Sequence, residues 1–233
     1  MVIFYLLFAL IVVDVYSAEA LAAQPDVAVL ADRLEDEWSE IFYHAPENQK
    51  VRRLRDLLRR AEALTASYPN RAEPLVVEGI VLCTLAGVDW GLSSLDNLNR
   101  SRLRLVQAID IDPKAMDGAA YVTLGNLYWR LPGWPISYGD DNLARRYLQS
   151  ALVLFPDALD TNYFMGDFLI DTEEYGAALE YLERAERAPI RPYQRVSDLK
   201  IKTQVAEALK VARAKGGSRS NFFSELVPDF KRP

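Results

Sequence analysis

Residues 119–189 read AAYVTLGNLYWRLPGWPISYGDDNLARRYLQSALVLFPDALDTNYFMGDFLIDTEEYGAALEYLERAERAP, and they carry one pattern of residues twice. The first copy consists of Leu124, Gly125, Tyr128, Ala144, Leu148, Ala151 and Pro156, and the second of Met165, Gly166, Leu169, Ala178, Leu182, Ala185 and Pro189. In each copy a glycine precedes two alanines, and a proline ends the unit. The pattern predicts a repeated pair of helices with small residues where the two helices touch.

The spacing within the second copy is that of the tetratricopeptide repeat (TPR). From Gly166, the small residues Ala178 and Ala185 follow at 12 and 19 residues, with Leu182 between them. A glycine on the first helix lets the second helix approach its backbone, because glycine has no Cβ. A proline then ends the second helix, since it lacks the backbone N–H. We predict an all-α fold of TPR-like helical hairpins, stacked as a short right-handed superhelix.

An earlier, degenerate copy of the pattern precedes this segment. Gly79 takes the position of the tight contact, and the partner helix ends before Asp112-Pro113. Further upstream, apolar residues recur at helical spacing over 26–68 and predict two helices that break near Ala45-Pro46. A last helix is predicted after Pro192. The array therefore has at least three hairpins, about the minimum for a stable stack.

The first two hairpins carry insertions between their helices. Residues 131–141, LPGWPISYGDD, include seven extra residues, and residues 86–94, AGVDWGLSS, form an insertion at the same position. Because neighbouring hairpins stack in parallel, we expect both loops on one edge, with their tryptophans side by side. A tryptophan in a Pro/Gly-rich turn either covers the hairpin end or anchors a partner. The predicted partner-binding residues are Trp90, Trp134, Tyr138 and Asp140.

Two acidic pairs stand before predicted helices. Asp140-Asp141 directly precedes the second helix of its hairpin, where Asp accepts hydrogen bonds from unpaired backbone N–H groups. Capping is favoured over calcium binding, because calcium takes about six to eight oxygen ligands and no ligand loop is present. Asp171 and Glu174 have the spacing of a capping box, which predicts that they cap the next helix.

The first helices of the hairpins are expected to line a concave groove. Asp167 directly follows Gly166, so its carboxylate is either paired in the core or turned into the groove. Aromatic side chains at comparable heights either pack in the core or face a ligand. The predicted ligand-binding residues are Tyr121, Trp129, Tyr163 and Asp167.

Composition narrows the range of functions. The 233 residues include 27 basic and 33 acidic side chains, with no basic stripe, so nucleic-acid binding is not expected. Cys83 and His44 are the only residues of their types, which excludes an internal disulfide, a metal site of several thiolates and a metal site of several histidines. The chain has no P-loop, dinucleotide-binding, HExxH or GxSxG motif. We predict a non-enzymatic protein without a metal or cofactor.

The N-terminus has the character of an export signal. Residues 2–13, VIFYLLFALIVV, form an apolar run that is short for a bilayer span, and A-x-A patterns follow at 18–22. We predict a signal peptide over 1–23, a repeat domain over 24–215 and a tail over 216–233, and hence a periplasmic or secreted protein. No Lys or Arg precedes the apolar run, which leaves an uncleaved membrane anchor as the alternative.

Several short motifs together resemble a family of exported bacterial TPR-like proteins, the T-component (TatT-like) proteins associated with TRAP transporters. The motifs are Tyr68-Pro69, Arg71-Ala72-Glu73-Pro74-Leu75, Glu78-Gly79-Ile80, Ala86-Gly87, Ile111-Asp112-Pro113, Asp117-Gly118-Ala119-Ala120-Tyr121, Leu124-Gly125, Leu127-Tyr128, Pro132-Gly133-Trp134-Pro135, Gly139-Asp140-Asp141 and Asn162-Tyr163-Phe164-Met165-Gly166-Asp167. The likeness covers about residues 60 to 190. It implies a periplasmic protein that works beside a solute-binding protein, either as a docking scaffold or as a carrier with its own ligand cavity. The chain departs from the lipoprotein members because it lacks an acylated cysteine.

Two functional hypotheses follow. The first is an exported scaffold for protein–protein interaction, with a solute-binding protein of a TRAP-type transporter as the partner implied by the resemblance. The second is binding of a small molecule or hydrophobic ligand in a cavity of the helical array, for transport.

Overall fold

The computed structural model describes residues 26–89, 91 and 93–216, whose regular secondary structure is entirely helical. This confirms the predicted all-α class. The α-helices of these residues are α1 (Val27–His44), α2 (Glu47–Ser67), α3 (Ala72–Val88), α4 (Ser94–Ile111), α5 (Ala119–Arg130), α6 (Asp141–Leu154), α7 (Leu159–Asp171), α8 (Tyr175–Arg187) and α9 (Arg195–Ala214). Short 3₁₀ turns at Ala115–Gly118 and Pro192–Gln194 precede α5 and α9. The predicted signal peptide, Trp90 and all but the first residue of the predicted tail lie outside the described residues.

Helix-breaking residues in the sequence agree with helix boundaries in the structure. The chain breaks between α1 and α2 at Ala45-Pro46, as predicted. The insertion predicted at 86–94 is shorter in the structure, because α3 continues to Val88 and α4 already begins at Ser94. None of the described helices combines the length and the hydrophobicity needed to cross a bilayer.

Three hairpins, α3–α4, α5–α6 and α7–α8, share one close contact between a glycine and a leucine. The pairs are Gly79 with Leu105, Gly125 with Leu148 and Gly166 with Leu182, and a Cβ added to these glycines would lie 2.6, 2.7 and 2.6 Å from the leucine Cγ. Real Cβ atoms do not approach so closely, so only glycine permits this packing. The contacts predicted from the repeated pattern are therefore present in all three hairpins.

The second helix of each hairpin buries one stripe of residues. In α6 the buried positions are Ala144, Leu148 and Ala151, and in α8 they are Ala178, Leu182 and Ala185. All six side chains are completely buried. The remaining surface of these helices is largely polar, as expected for an outer layer that packs on one side only.

The first helices of the hairpins are covered on nearly all sides. In α7, residues 159–170 are all buried. The terminal helices cause this burial: α1 packs on α3, α9 packs on α7, and α1 and α9 also contact each other. Their apolar faces, which include Trp38 and Ile41 on α1 and Ile201 and Val205 on α9, are thereby buried. The groove expected from the sequence is consequently covered by the two ends of the array.

Helix capping agrees with one prediction and contradicts another. Asp140 caps α6, because its Oδ1 accepts hydrogen bonds from the backbone N–H groups of Asn142 and Leu143 at 2.8 and 3.0 Å. The predicted capping box of Asp171 and Glu174 is wrong. Asp171 is the last residue of α7, and α8 begins at Tyr175 without a side-chain cap.

Gly166→Ala should destabilise the protein, because the added Cβ meets the buried Leu182 side chain. We expect a loss of about 1–3 kcal/mol in the free energy of unfolding, measured by urea denaturation. Gly176→Ala is the matched control, since nothing lies within 4 Å of a Cβ at this position on α8. That substitution should stabilise the helix by about 0.5–1 kcal/mol. Equal stabilities of the two variants would contradict the assigned contact.

Candidate functional site

A cavity of about 80 Å³ lies where α1, α3, α5, α7 and α9 meet. Its walls are mainly apolar, and they include two carboxyl groups. The lining residues are Glu35, Trp38, Tyr43, Ile80, Cys83, Ala119, Val122, Thr123, Asp160, Phe164 and Ile201. The cavity exists because the terminal helices cover the hairpins, and neither part of the fold forms it alone.

Glu35 on α1 is one of the two carboxyl residues that line this cavity. The residue is only 8% exposed. Gln194 donates a hydrogen bond from Nε2 to Glu35 Oε2 at 2.7 Å, whereas Oε1 accepts none from the described residues. Burial raises the pKa of Glu35 to about 7, although the Gln194 hydrogen bond and the charge of Arg191 lower it. Glu35 therefore changes its charge near neutral pH.

Asp160 brings a second carboxylate to the cavity from the first turn of α7. Its Oδ1 accepts the backbone N–H of Thr161 at 2.9 Å, and its Oδ2 accepts Nη2 of Arg191 at 3.3 Å. Burial raises the pKa of Asp160, and the positive charge of Arg191 opposes this shift. The Asp160 carboxylate is thus held by one ion pair and one backbone donor.

Arg191 joins three elements of the fold through its guanidinium. It donates to both oxygens of the fully buried Asp198, from Nη2 at 2.8 Å and from Nε at 3.2 Å. Its backbone N–H also donates to Asp198 Oδ2 at 2.7 Å. Burial alone would lower the pKa of Arg191, but Asp160 and Asp198 raise it, so the guanidinium stays charged.

Asp117 completes the acidic cluster from the turn before α5. Its Oδ2 accepts Nη1 of Arg191 at 3.3 Å and the hydroxyl of Tyr193 at 2.8 Å. Burial and this hydrogen bond raise the pKa of Tyr193 to about 12. Asp117 has a left-handed backbone with a φ of 53°, directly after Met116 with a φ of 48°. Non-glycine residues adopt this conformation at a cost, and such residues concentrate at functional sites.

Polar contacts between the ends of the array hold the cavity walls in place. Ser39 on α1 and Ser197 on α9 share a hydrogen bond of 2.6 Å between their hydroxyls. The indole of Trp38 donates to Thr84 Oγ1 on α3 at 2.9 Å, which fixes the tryptophan against the first hairpin. The aromatic wall is therefore preorganised by contacts outside the cavity.

The aromatic residues predicted to bind a ligand on α5 and α7 are not brought together. Tyr121 is half-buried, with its ring centroid 6.2 Å from that of Tyr147 on the α5–α6 surface. Tyr163 is completely buried and packs 4.8 Å from Phe164. Neither residue lines the cavity. Their role in ligand binding stays a prediction.

Trp129 and Asp167 belong to a separate cluster in the core. Arg130 lies over the Trp129 ring at 3.5 Å and donates hydrogen bonds to Asp167 and Asp171, both at 3.1 Å. Of the two alternatives for Asp167, the structure thus favours pairing in the core. This cluster ties α5 to α7 and does not border the cavity.

The predicted partner-binding residues have different environments. Trp134 is 90% exposed. Tyr138 is partly buried and donates a hydrogen bond to the carbonyl of Leu98 on α4 at 3.0 Å, while Asp140 caps α6. Trp90 lies outside the described residues, so the pairing of the two tryptophan loops stays a prediction.

Sequence reasoning missed the acidic cluster and its arginine. Glu35 stands in the apolar stripe of α1, beside Leu34 and one turn before Trp38, and this placement was the available signal. A carboxyl at a core-facing position needs a partner or a function. Asp160 and Arg191 gave no comparable signal, because their partners lie on distant parts of the chain.

Among the residues that the structure describes, no three His, Cys, Asp or Glu side chains are placed to hold a metal ion. No protein-family model matches the chain, and the search of curated proteins finds no match either. The side chains of the cavity are therefore the basis for assigning a function.

The protonation of Glu35 should make the stability of the fold depend on pH. Its pKa rises from an ordinary value of 4.5 to about 7 on folding, so the folded state keeps a proton that the unfolded chain releases. The free energy of unfolding should therefore fall as the pH rises through this window, by up to about 3 kcal/mol for this group. Urea denaturation across this window measures the slope.

Glu35→Gln should remove this part of the slope and should be more stable than the wild type at about pH 8. Asp160, with a raised pKa, adds a slope of the same sign that the variant retains. Glu180→Gln, an exposed position on α8, is the control and should keep the wild-type profile. A Glu35→Gln profile identical to that of the wild type would show that Glu35 does not titrate as described.

Proposed function

We propose that this chain is an exported, TPR-like helical-repeat protein that binds a small molecule in the cavity between its hairpins and its terminal helices. The observation that carries this proposal is the carboxyl of Glu35, a buried residue that lines an apolar cavity and whose Oε1 accepts no hydrogen bond from the described residues. Ligand sites commonly combine a largely apolar enclosure with a few polar groups that fix orientation.

The energetics of Glu35 favour a binding role over a structural one. Burial raises the pKa of the Glu35 carboxyl, and a perturbed carboxyl beside a cavity is a common feature of functional sites. A ligand that donates a hydrogen bond to Oε1 would stabilise the charged form of this carboxyl. An apolar side chain at position 35 would serve packing alone at least as well.

The TPR-like architecture and the resemblance to TatT-like proteins support the same proposal. The three glycine–leucine contacts occur at equivalent places in successive hairpins, as expected for repeated units. A carrier with its own ligand cavity is one of the two roles that the resemblance implies. Export is supported by the apolar run and A-x-A patterns of residues 2–22.

We propose binding without catalysis. Cys83 is a potential nucleophile, and it lines the cavity together with Glu35. Burial raises the pKa of the Cys83 thiol to about 12, so it is protonated at neutral pH and reacts poorly. Glu35 is therefore better suited to hold a ligand than to activate this thiol.

Filling the cavity tests the proposed function. A thermal-shift screen of amines, carboxylic acids and neutral apolar compounds should yield compounds that raise the melting temperature of the wild type by linkage. Ala119→Leu places a larger side chain in the cavity and should abolish these shifts. Ala177→Leu, at an exposed position on α8, should preserve them. The proposal fails if no compound stabilises the wild type, or if Ala119→Leu responds as the wild type does.

A second candidate function, docking of a protein partner, is favoured by the loop between α5 and α6. Trp134 and Ile136 are 90% and 68% exposed. Backbone hydrogen bonds from Gly139 to Pro132 at 2.9 Å and from Asp140 to Tyr128 at 2.8 Å hold the base of the loop. A large apolar side chain on a fixed loop has the character of an interface anchor.

Trp90→Ala/Trp134→Ala tests this second candidate. Immobilised protein should recover a specific partner, such as a solute-binding protein, from periplasmic extract. The double variant should recover at least about tenfold less, as expected when an anchor residue is truncated. Val153→Ala removes a side chain that is 82% exposed on α6 and should leave recovery unchanged. Equal recovery of every protein by the double variant would exclude docking through these tryptophans.

A further inference from the structure

The charges around the cavity do not balance. Four carboxyl groups, those of Glu35, Asp117, Asp160 and Asp198, surround the single guanidinium of Arg191. Arg191 donates hydrogen bonds to three of them and reaches Glu35 only through its charge. The cluster therefore carries an excess of negative charge on the side that faces the cavity, which is the side of Glu35 and Asp160.

A second cation close to Asp198 does not correct this imbalance. Lys202 on α9 interacts electrostatically with Asp198. Its ammonium, however, donates to the carbonyl oxygens of Ala185, Glu186 and Ala188 at the end of α8. Lys202 thus serves as a cap for α8, and it does not line the cavity.

We infer that the ligand of this cavity is a small organic cation, a primary ammonium on a short apolar body. This inference rests on the proposed ligand-binding function and names the class of ligand. An ammonium supplies N–H donors and positive charge, and Glu35 Oε1 is an acceptor with no donor from the described residues. A charge-assisted hydrogen bond is roughly twice as strong as a neutral one, so a neutral donor fits less well.

The opposite walls of the cavity suit the apolar part of such a ligand. Trp38, Ile80 and Phe164 supply apolar surface, and aromatic rings also attract a cation placed over their faces. An apolar body explains why the ligand is an organic ammonium, because a hydrated inorganic ion gains nothing from these walls. An anionic ligand is disfavoured by both cavity carboxyls.

The size of the cavity limits the ligand. A cavity of roughly 150 Å³ holds a benzene molecule of six carbons. By the same proportion, about 80 Å³ encloses a body of about three or four heavy atoms. An alkylammonium with a short chain, such as n-propylammonium, matches this volume.

Binding of a cation at Glu35 should strengthen as the pH rises. The groups around Glu35 are Asp32 and Tyr43 on its own helix, Cys83 on α3, Asp160 on α7, Arg191 before α9 and, through Arg191, Asp198 on α9. Cys83 and Arg191 keep their protonation state across neutral pH, because burial raises the pKa of Cys83 to about 12 and the neighbouring carboxylates raise that of Arg191. Glu35 and Asp160, whose pKa values are both raised, therefore supply the negative charge that the cavity gains as the pH rises.

Calorimetric titration of the full chain tests this inference. The probes are the alkylammonium series from methyl- to hexylammonium, with the alcohols and carboxylates of the same chain lengths. A short alkylammonium should bind at about pH 8, and its affinity should be at least about tenfold weaker at about pH 5.5. The alcohol and the carboxylate of that chain length should bind at least about tenfold more weakly than the ammonium.

Two variants assign the effect to the cavity carboxyl. Glu35→Gln keeps the shape of the side chain and should weaken ammonium binding at least about tenfold, while Glu180→Gln should leave it unchanged. The pH dependence of the wild type gives the same information if Glu35→Gln does not fold. Equal binding of an alcohol or carboxylate, or pH-independent binding of the ammonium, would overturn the cation class.

The failure of the inference and that of the proposed function are distinguishable. Neutral or anionic compounds that stabilise the wild type, and lose this effect in Ala119→Leu, would keep the cavity as a binding site and reject a cationic ligand. The absence of any stabilising compound would reject both. Selective ammonium binding that persists in Ala119→Leu would place the cation elsewhere and overturn the inference.

Discussion

The close approach of a leucine to a glycine sets the geometry on which the remaining structure depends. In each hairpin the second helix packs against bare backbone at Gly79, Gly125 or Gly166, and small buried residues, alanine or serine, allow the same separation along its length. The side of the first helices that faces away from the second helices is also apolar, as shown by Ile80 and Val122. This side needs a further cover, because an extended apolar surface exposed to water is unfavourable.

The two ends of the chain supply that cover and, with it, the polar interior. The amphipathic helices α1 and α9 bury their apolar faces and also bring acidic groups into a region with little water. The acidic groups are stabilised to different extents. Asp198 receives three hydrogen bonds from Arg191, which fixes the segment before α9 and explains a structural role. Glu35 receives one hydrogen bond from the described residues and lines the cavity. The same burial thus produces one acid held by several hydrogen bonds and one that the proposed ligand would contact.

What could be predicted from the sequence was local. The intervals between glycine, alanine and proline report contacts within one hairpin, and Asp140 reports the start of the helix that follows it. The cavity depends instead on contacts between Glu35, Asp160 and Arg191, which no spacing rule connects. Asp167 is an example of what local patterns do not predict. Its place beside Gly166 defines its position along the helix, but its pairing in the core depends on Arg130, which lies on another hairpin. No local sequence pattern predicts that α1 and α9 pack against the hairpins and against each other.

The proposed function would couple stability and binding through the carboxyl of Glu35. Protonation and a bound cation would then be alternative ways to neutralise the same buried charge, so each would reduce the benefit of the other. Without a ligand, protonation of Glu35 favours the folded state, because burial raises the pKa of this carboxyl to about 7. A cationic ligand would bind most tightly above neutral pH, where Glu35 has lost its proton and the ligand-free protein is least stable. A side chain that weakens the fold above neutral pH would thereby provide the driving force for binding there, and this is a physical reason for a carboxyl at a position where packing favours an apolar residue.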